Sequence, residues 1–219
     1  MTDLSQLSDE PGRSIFLVGP MGSGKSAVGK TLARLRGQRF IDSDVEIERR
    51  TGVDISYIFE REGEAGFRER EREVIDDLTQ LPGIVLATGG GAILLPENRA
   101  HLANRGIVVY LEASIAQQVD RTQHGRHRPL LLNTDPEARL TELMVTREPL
   151  YREIANLVVS TDRRKVQSVA EYIVASLAGG IPVDARGGDP GSLDLPVAEY
   201  VGASDSVGSV GDCGEPERD

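Results

Sequence analysis

The chain has 219 residues, 39% apolar and 27% charged, a composition that suits one soluble globular domain with some residues to spare and excludes collagen-like, disulfide-scaffold and wholly disordered classes. Thirty-five acids against 25 bases give a net charge of −10, which disfavours a nucleic-acid binder held by bulk positive charge, so a bound anion must be held locally. That charge is uneven: residues 179–219 carry nine acids and two bases, with nine Gly, four Pro and one aromatic, Tyr200. Such a segment buries too little apolar surface to offset the entropy of ordering it, and is expected to be a disordered acidic tail. The single cysteine, Cys213, lies in it, so neither an internal disulfide nor a cysteine metal cluster can form. Residues 1–12 lack the basic and apolar regions of a secretory signal and read as a flexible N-terminus. The longest uncharged stretch, residues 78–96, is broken by Pro82 and by Gly83, Gly89, Gly90 and Gly91, so no membrane span is expected and the location predicted is cytoplasmic.

In chain order, short β-rich apolar runs alternate with longer stretches of helical period. Strands are predicted at 14–18, 39–41, 83–87, 107–111 and 157–160; helices at 25–36, 44–80, 96–104, 114–121, 136–151 and 165–178. Pro96 and Pro136 suit the first turns of theirs. This alternation predicts a three-layer α/β/α domain over about 13–178 with five parallel strands, and places ligands beyond the carboxyl ends of the strands.

The first strand runs into Gly19-Pro20-Met21-Gly22-Ser23-Gly24-Lys25-Ser26, which matches the phosphate-binding loop G-x-x-x-x-G-K-[ST]. Glycines let successive amides converge on a phosphate, and the following helix adds its positive end, so the anion needs no bulk positive charge. Lys25 is expected to reach the β and γ phosphates and Ser26 to ligate Mg²⁺. The second strand ends at Asp42-Ser43-Asp44. Asp and Ser before a helix are ordinary caps, but beside a phosphate loop one acid can support the metal while another orients or deprotonates the attacking hydroxyl. Strand alternation is expected to point the two carboxylates in different directions. The third strand ends in Thr88-Gly89-Gly90-Gly91, a turn whose backbone can come close to a substrate.

Three arginines stand out by context. Arg68 lies in a charged helix, 60–73, most of which reads as a solvated face of i,i+4 pairs. Arg128 lies in 122–135, a long loop between helices of the kind that serves as a mobile lid. His124 and His127 in that loop read as solvated rather than as a metal pair. Arg147 stands near the end of the next helix, where a partner for the helix dipole is the ordinary reading.

Together these segments resemble the shikimate kinase family: the loop from Gly19 to Ser26 with Met21, Asp42-x-Asp44, Asp54-Ile55-x-x-Ile58-Phe59, Gly63-Glu64-x-x-Phe67-Arg68-x-x-Glu71, Gly89-Gly90-Gly91, Arg128-Pro129-Leu130-Leu131, and Arg147 before Pro149-Leu150-Tyr151. The resemblance covers about 13–178 and leaves the tail aside. With no long apolar stripe left once the core is assigned, a monomer is expected; the resemblance implies a P-loop kinase fold with strand order 2-3-1-4-5 and transfer of the γ-phosphoryl of ATP to the 3-hydroxyl of shikimate, in aromatic amino-acid biosynthesis. It further implies that Asp44 meets the shikimate hydroxyls as base or orienting group, that Arg68 and Arg147 grip the carboxylate with Glu71 beside them, and that Gly89, Gly90 and Gly91 lie against the substrate. Gly22, Ser23, Gly24, Lys25, Ser26 and Ala27 would bind the ATP phosphates, Ser26 and Asp42 the magnesium. Arg128 would close over the transferring phosphoryl, with Arg121 near the nucleotide and Arg164, in Asp162-Arg163-Arg164, on the adenine side. Two other readings share parts of the pattern. A gluconate or nucleotide kinase would not need both Arg68 and Arg147; a nucleotide-binding regulatory module would not need Asp44 and Arg128 beside Lys25 and Ser26.

Overall fold

Ile15-Phe16-Leu17-Val18 is an apolar run without a polar face, so as a strand it must be covered on both sides. In the computed structural model, which describes residues 12–122 and 135–179, all four side chains are fully buried at the centre of the sheet. The elements follow as β1 (Ile15–Val18), α1 (Lys25–Arg36), β2 (Arg39–Asp42), α2 (Ser43–Thr51), α3 (Ile55–Thr79), β3 (Ile84–Ala87), a 3₁₀ turn (Ala92–Leu94), α4 (Pro96–Arg105), β4 (Ile107–Glu112), α5 (Ile115–Thr122), α6 (Pro136–Ile154), β5 (Leu157–Ser160) and α7 (Val166–Leu177). The five strands form one parallel sheet in the order β2-β3-β1-β4-β5.

Alternation along the strands divides the core in two. Ile15, Leu17, Val85, Val109 and Val159 face α1 and α7, meeting Val28, Leu32, Val169 and Ile173. Phe16, Val18, Leu86, Val108 and Tyr110 face α2, α3, α4 and α6, meeting Ile47, Ile58, Val74, Leu102 and Tyr151. Each fully buried aliphatic side chain contributes about 1.5–3 kcal/mol, which fixes the strand ends and the loops beyond them.

The predicted strands are all present. The predicted helix over 44–80 is instead two helices. Gly52 closes α2 in the left-handed conformation (φ 72°), its N–H bonded to Glu48 O at 2.8 Å, and Asp54 opens α3 by accepting from Tyr57 N at 2.7 Å. α3 is itself interrupted at Gly63 (φ 71°, ψ −174°), and the Arg70–Glu62 ion pair at 2.7 Å spans the break. The expected flexible N-terminus, the 122–135 loop with His124, Arg128 and His127, and the acidic tail lie, apart from residues 12, 122, 135 and 179, outside the described residues. Among the described residues no helix is long and apolar enough to cross a membrane.

Candidate active site

A cavity of about 570 Å³ opens beyond the carboxyl ends of β1, β2 and β3, where the topology predicted the chemistry to lie. Its nucleotide end is the loop between β1 and α1. Lys25 Nζ donates to the carbonyls of Gly19 at 2.8 Å and Pro20 at 2.7 Å, which carries the ammonium over the loop. Ser26 Oγ donates to Asp42 Oδ2 at 2.6 Å. Arg121 is held against the same loop, with Nη1 bonded to Gly22 O at 3.0 Å and Nη2 to Thr161 O at 3.0 Å. Gly22, Gly24, Lys25, Ser26 and Ala27 line the cavity, whereas Ser23 is buried beneath the loop and does not.

Asp42 and Asp44 diverge, but not through strand alternation. The strand ends at Asp42, which caps α2 by accepting from Asp44 N at 3.1 Å, and Asp44 sits in the first helical turn. Asp42 is thus both cap and partner of Ser26, while Asp44 turns toward the third strand's glycine turn. Asp44 Oδ1 is buried without a hydrogen-bond partner among the described residues. Burial pushes its pKa up to about 7, the Asp42 and Glu71 carboxylates push the same way, and Lys25 and Arg68 pull it down. A carboxyl group poised near neutrality, facing a cavity, is suited to accept a proton.

The other end of the cavity is built from α3, α6 and the glycine turn. Arg68 is nearly buried, and its Nη1 donates to the fully buried Glu71 at 2.6 Å while Nη2 donates to Glu64 at 2.9 Å and Nε to the same oxygen at 3.3 Å. Three of its five N–H groups are therefore used, leaving one on each terminal nitrogen, the fork that receives a carboxylate edge on. Glu71 Oε1 has no partner among the described residues, and burial drives the Glu71 pKa upward against the opposing Arg68 charge. Gly89 and Gly91 let the ends of the neighbouring charged side chains come close to the backbone. A methyl group on Gly89 would stand 2.6 Å from Glu71 Oε1 and 2.7 Å from Asp44 Oδ1, and one on Gly91 would stand 2.3 Å from Arg68 Nη2. Gly89 N is held by Ser43 Oγ at 3.0 Å.

Arg147 projects from α6 into the same space at only 5% exposure. It has no ion-pair partner among the described residues, and burial lowers its pKa, as does the charge of Arg68. Glu64 and Glu71 offset part of this from a distance, but a buried guanidinium without a direct ion pair leaves this end of the cavity suited to an anion. The dipole reading of Arg147 is thereby replaced: the side chain turns inward, away from the helix end.

The structure brings together, around one cavity, Asp42, Asp44, Arg68, Glu71, Gly89, Gly90, Gly91, Arg121 and Arg147 with the phosphate loop. Arg164 does not line it; its guanidinium lies over the Tyr172 ring, 4.9 Å from the centroid. Sequence reasoning missed the wall formed by Phe59 and Phe67, whose rings lie 4.8 Å apart, and the pairing of Arg68 with Glu64. The i,i+4 spacing of Glu64 and Arg68 was a signal for the latter. It also missed Tyr151, whose hydroxyl donates to Gly90 O at 2.5 Å. Nothing local in the sequence announces that contact.

Comparison with known proteins gives a consistent match. The family model for shikimate kinase matches residues 21–178. The shikimate kinase of Halorhodospira halophila is 58% identical over 165 residues, 75% of this chain and 93% of that protein, and the shikimate kinase of Methylococcus capsulatus is 56% identical over 162 residues, 74% and 90% respectively. A solved shikimate kinase from Acinetobacter baumannii in complex with shikimate is 45% identical, with a TM-score of 0.76, covering 81% of this chain and 98% of that one.

Proposed function

The chain belongs to the shikimate kinase family and phosphorylates shikimate with ATP, and we propose that Asp44, Arg68 and Arg147 are the residues that hold and activate the acceptor. Arg147 carries this reading: a buried guanidinium with no counter-ion among the described residues, next to a second guanidinium whose free fork faces the same space, calls for a ligand carboxylate. Bidentate charge-assisted bonds from a planar fork suit that group better than a lysine point charge. With the carboxylate held there, the ring hydroxyls fall toward Asp44, which takes or orients the proton of the attacking 3-hydroxyl.

At the nucleotide end the loop amides from Gly22 to Ala27 and Lys25 receive the ATP phosphates. Ser26 Oγ and Asp42 Oδ2, 2.6 Å apart, are hard oxygen donors of the kind Mg²⁺ takes alongside water and phosphate oxygens, so the residues fit that ion. When bound, the ion neutralises charge on the β and γ phosphates. Arg121 steadies the loop by its bonds to Gly22 and Thr161. Arg128, outside the described residues, keeps the role the family resemblance gives it, on the transferring phosphoryl group. We further propose that the catalytic domain spans 13–178 and that the enzyme works as a cytoplasmic monomer.

A coupled assay of ADP release tests the acceptor directly, offering shikimate, gluconate or a nucleoside monophosphate. Turnover is expected with shikimate alone. Comparable turnover with gluconate or a nucleotide would overturn the assignment.

A further inference from the structure

Tyr151 stands one helical turn beyond Arg147 on α6, so the two side chains share a face, and both are buried. Its ring stacks on Tyr110, with centroids 5.0 Å apart and planes at 20°, so the hydroxyl has a fixed position. That hydroxyl donates to the carbonyl of Gly90, 61 residues away in the chain, and the Arg147 guanidinium stands against the Tyr151 hydroxyl itself.

The Gly90 carbonyl belongs to the peptide that carries the Gly91 N–H, and the planarity of that peptide means that fixing one end fixes the other. The Arg68 guanidinium packs so closely on Gly91 that a methyl group there would displace it. One hydroxyl therefore meets Arg147 directly and braces the Gly90–Gly91 peptide, beyond which the Arg68 guanidinium packs against Gly91.

We propose that Tyr151 is a positioning residue that sets the spacing of Arg147 and Arg68 and so tunes recognition of the acceptor's carboxylate. This rests on the reading of the two arginines as that clamp. Glycines adjoining the peptide would otherwise let it rotate, and the wall at Gly91 against which Arg68, itself held by Glu64 and Glu71, packs would shift relative to Arg147.

The test is Tyr151→Phe, which keeps the stacked ring and removes only the hydroxyl. Steady-state kinetics are measured with shikimate and with its methyl ester, beside Arg147→Ala and Tyr110→Phe. Tyr110 Oη has no partner among the described residues, so Tyr110→Phe is expected to match the wild type. For Tyr151→Phe, KM for shikimate is expected to rise about tenfold with KM for ATP changed by less than about twofold, and the preference for shikimate over the ester to shrink by a similar factor. An unchanged acid-to-ester ratio, an equal rise in both KM values, or failure of the variant to fold would each overturn the proposal by making the hydroxyl a purely structural bond. If Arg147→Ala also leaves the ratio unchanged, the clamp itself is wrong; if only Tyr151→Phe does, the clamp stands and the positioning role falls.

Discussion

The two ends of the cavity are finished to different degrees. At the phosphate end Lys25, Asp42 and Arg121 each have an internal partner: Lys25 lies on Gly19 and Pro20, Asp42 on Ser26, Arg121 on Gly22 and Thr161. At the acceptor end Arg147 lacks a counter-ion among the described residues, and Asp44 Oδ1 and Glu71 Oε1 are buried without partners. A loop that binds phosphate through backbone amides serves many acceptors, so it carries little information about which one. Unpaired buried charges are unfavourable for folding and are tolerated where a ligand completes them. Specificity is therefore written at the unfinished end.

The largest break in that contrast comes from Asp44→Asn, which keeps shape and removes the proton acceptor. We expect kcat to fall about 10²- to 10⁴-fold with KM for ATP nearly unchanged, measured by coupled kinetics. Loss of ATP affinity in the same variant would place Asp44 at the phosphate end.

Next in size are the arginines. Each of Arg68→Ala and Arg147→Ala removes charge-assisted hydrogen bonds of about 1.5–3 kcal/mol, so KM for shikimate should rise roughly 10- to 150-fold while KM for ATP moves less than about twofold. The pair differ in stability. Arg68→Ala strands the buried Glu71, at a cost of about 3–5 kcal/mol, whereas Arg147→Ala removes a cation with no direct ion pair among the described residues and should lower the melting temperature much less. Equal destabilisation would mean that Arg147 has a partner in solution.

Smaller effects follow from the Asp44 pKa of about 7. A group acting as proton acceptor must be ionised, so kcat/KM for shikimate should fall about tenfold per pH unit below pH 7, and Asp44→Asn should flatten that limb. Stability runs the other way. A carboxyl whose pKa is raised by folding binds its proton more tightly in the folded chain, which contributes stability at low pH that is lost as pH rises from about 4 through 7. Asp44→Asn should accordingly melt higher than the wild type at pH 8 and not at pH 4. A higher melting temperature at both values would show that the benefit lies in packing rather than in charge.

Much of this was legible in the chain. The five strands carried unbroken β-rich apolar runs, and the phosphate loop announced itself through glycine spacing. Two failures had local causes. The charge run after Asp44 read as one helix because its solvated pairs persist, although Gly52 and Asp54 are a stop and a start signal two residues apart. Asp42 and Asp44, two residues apart, would share one face of a strand rather than diverge, and they diverge because the cap at Asp42 has already turned the chain into a helix. The Tyr151–Gly90 bond and the approach of Arg68 to Gly91 depend on tertiary placement of α6 and α3, which local periodicity does not encode.

The central claim is that Arg147 awaits the acceptor's carboxylate. Calorimetric titration of shikimate into the ADP-bound protein, wild type against Arg147→Ala, measures it without turnover. The account predicts at least tenfold weaker shikimate binding in the variant with ADP affinity unchanged. Equal shikimate affinity in the two proteins would contradict it.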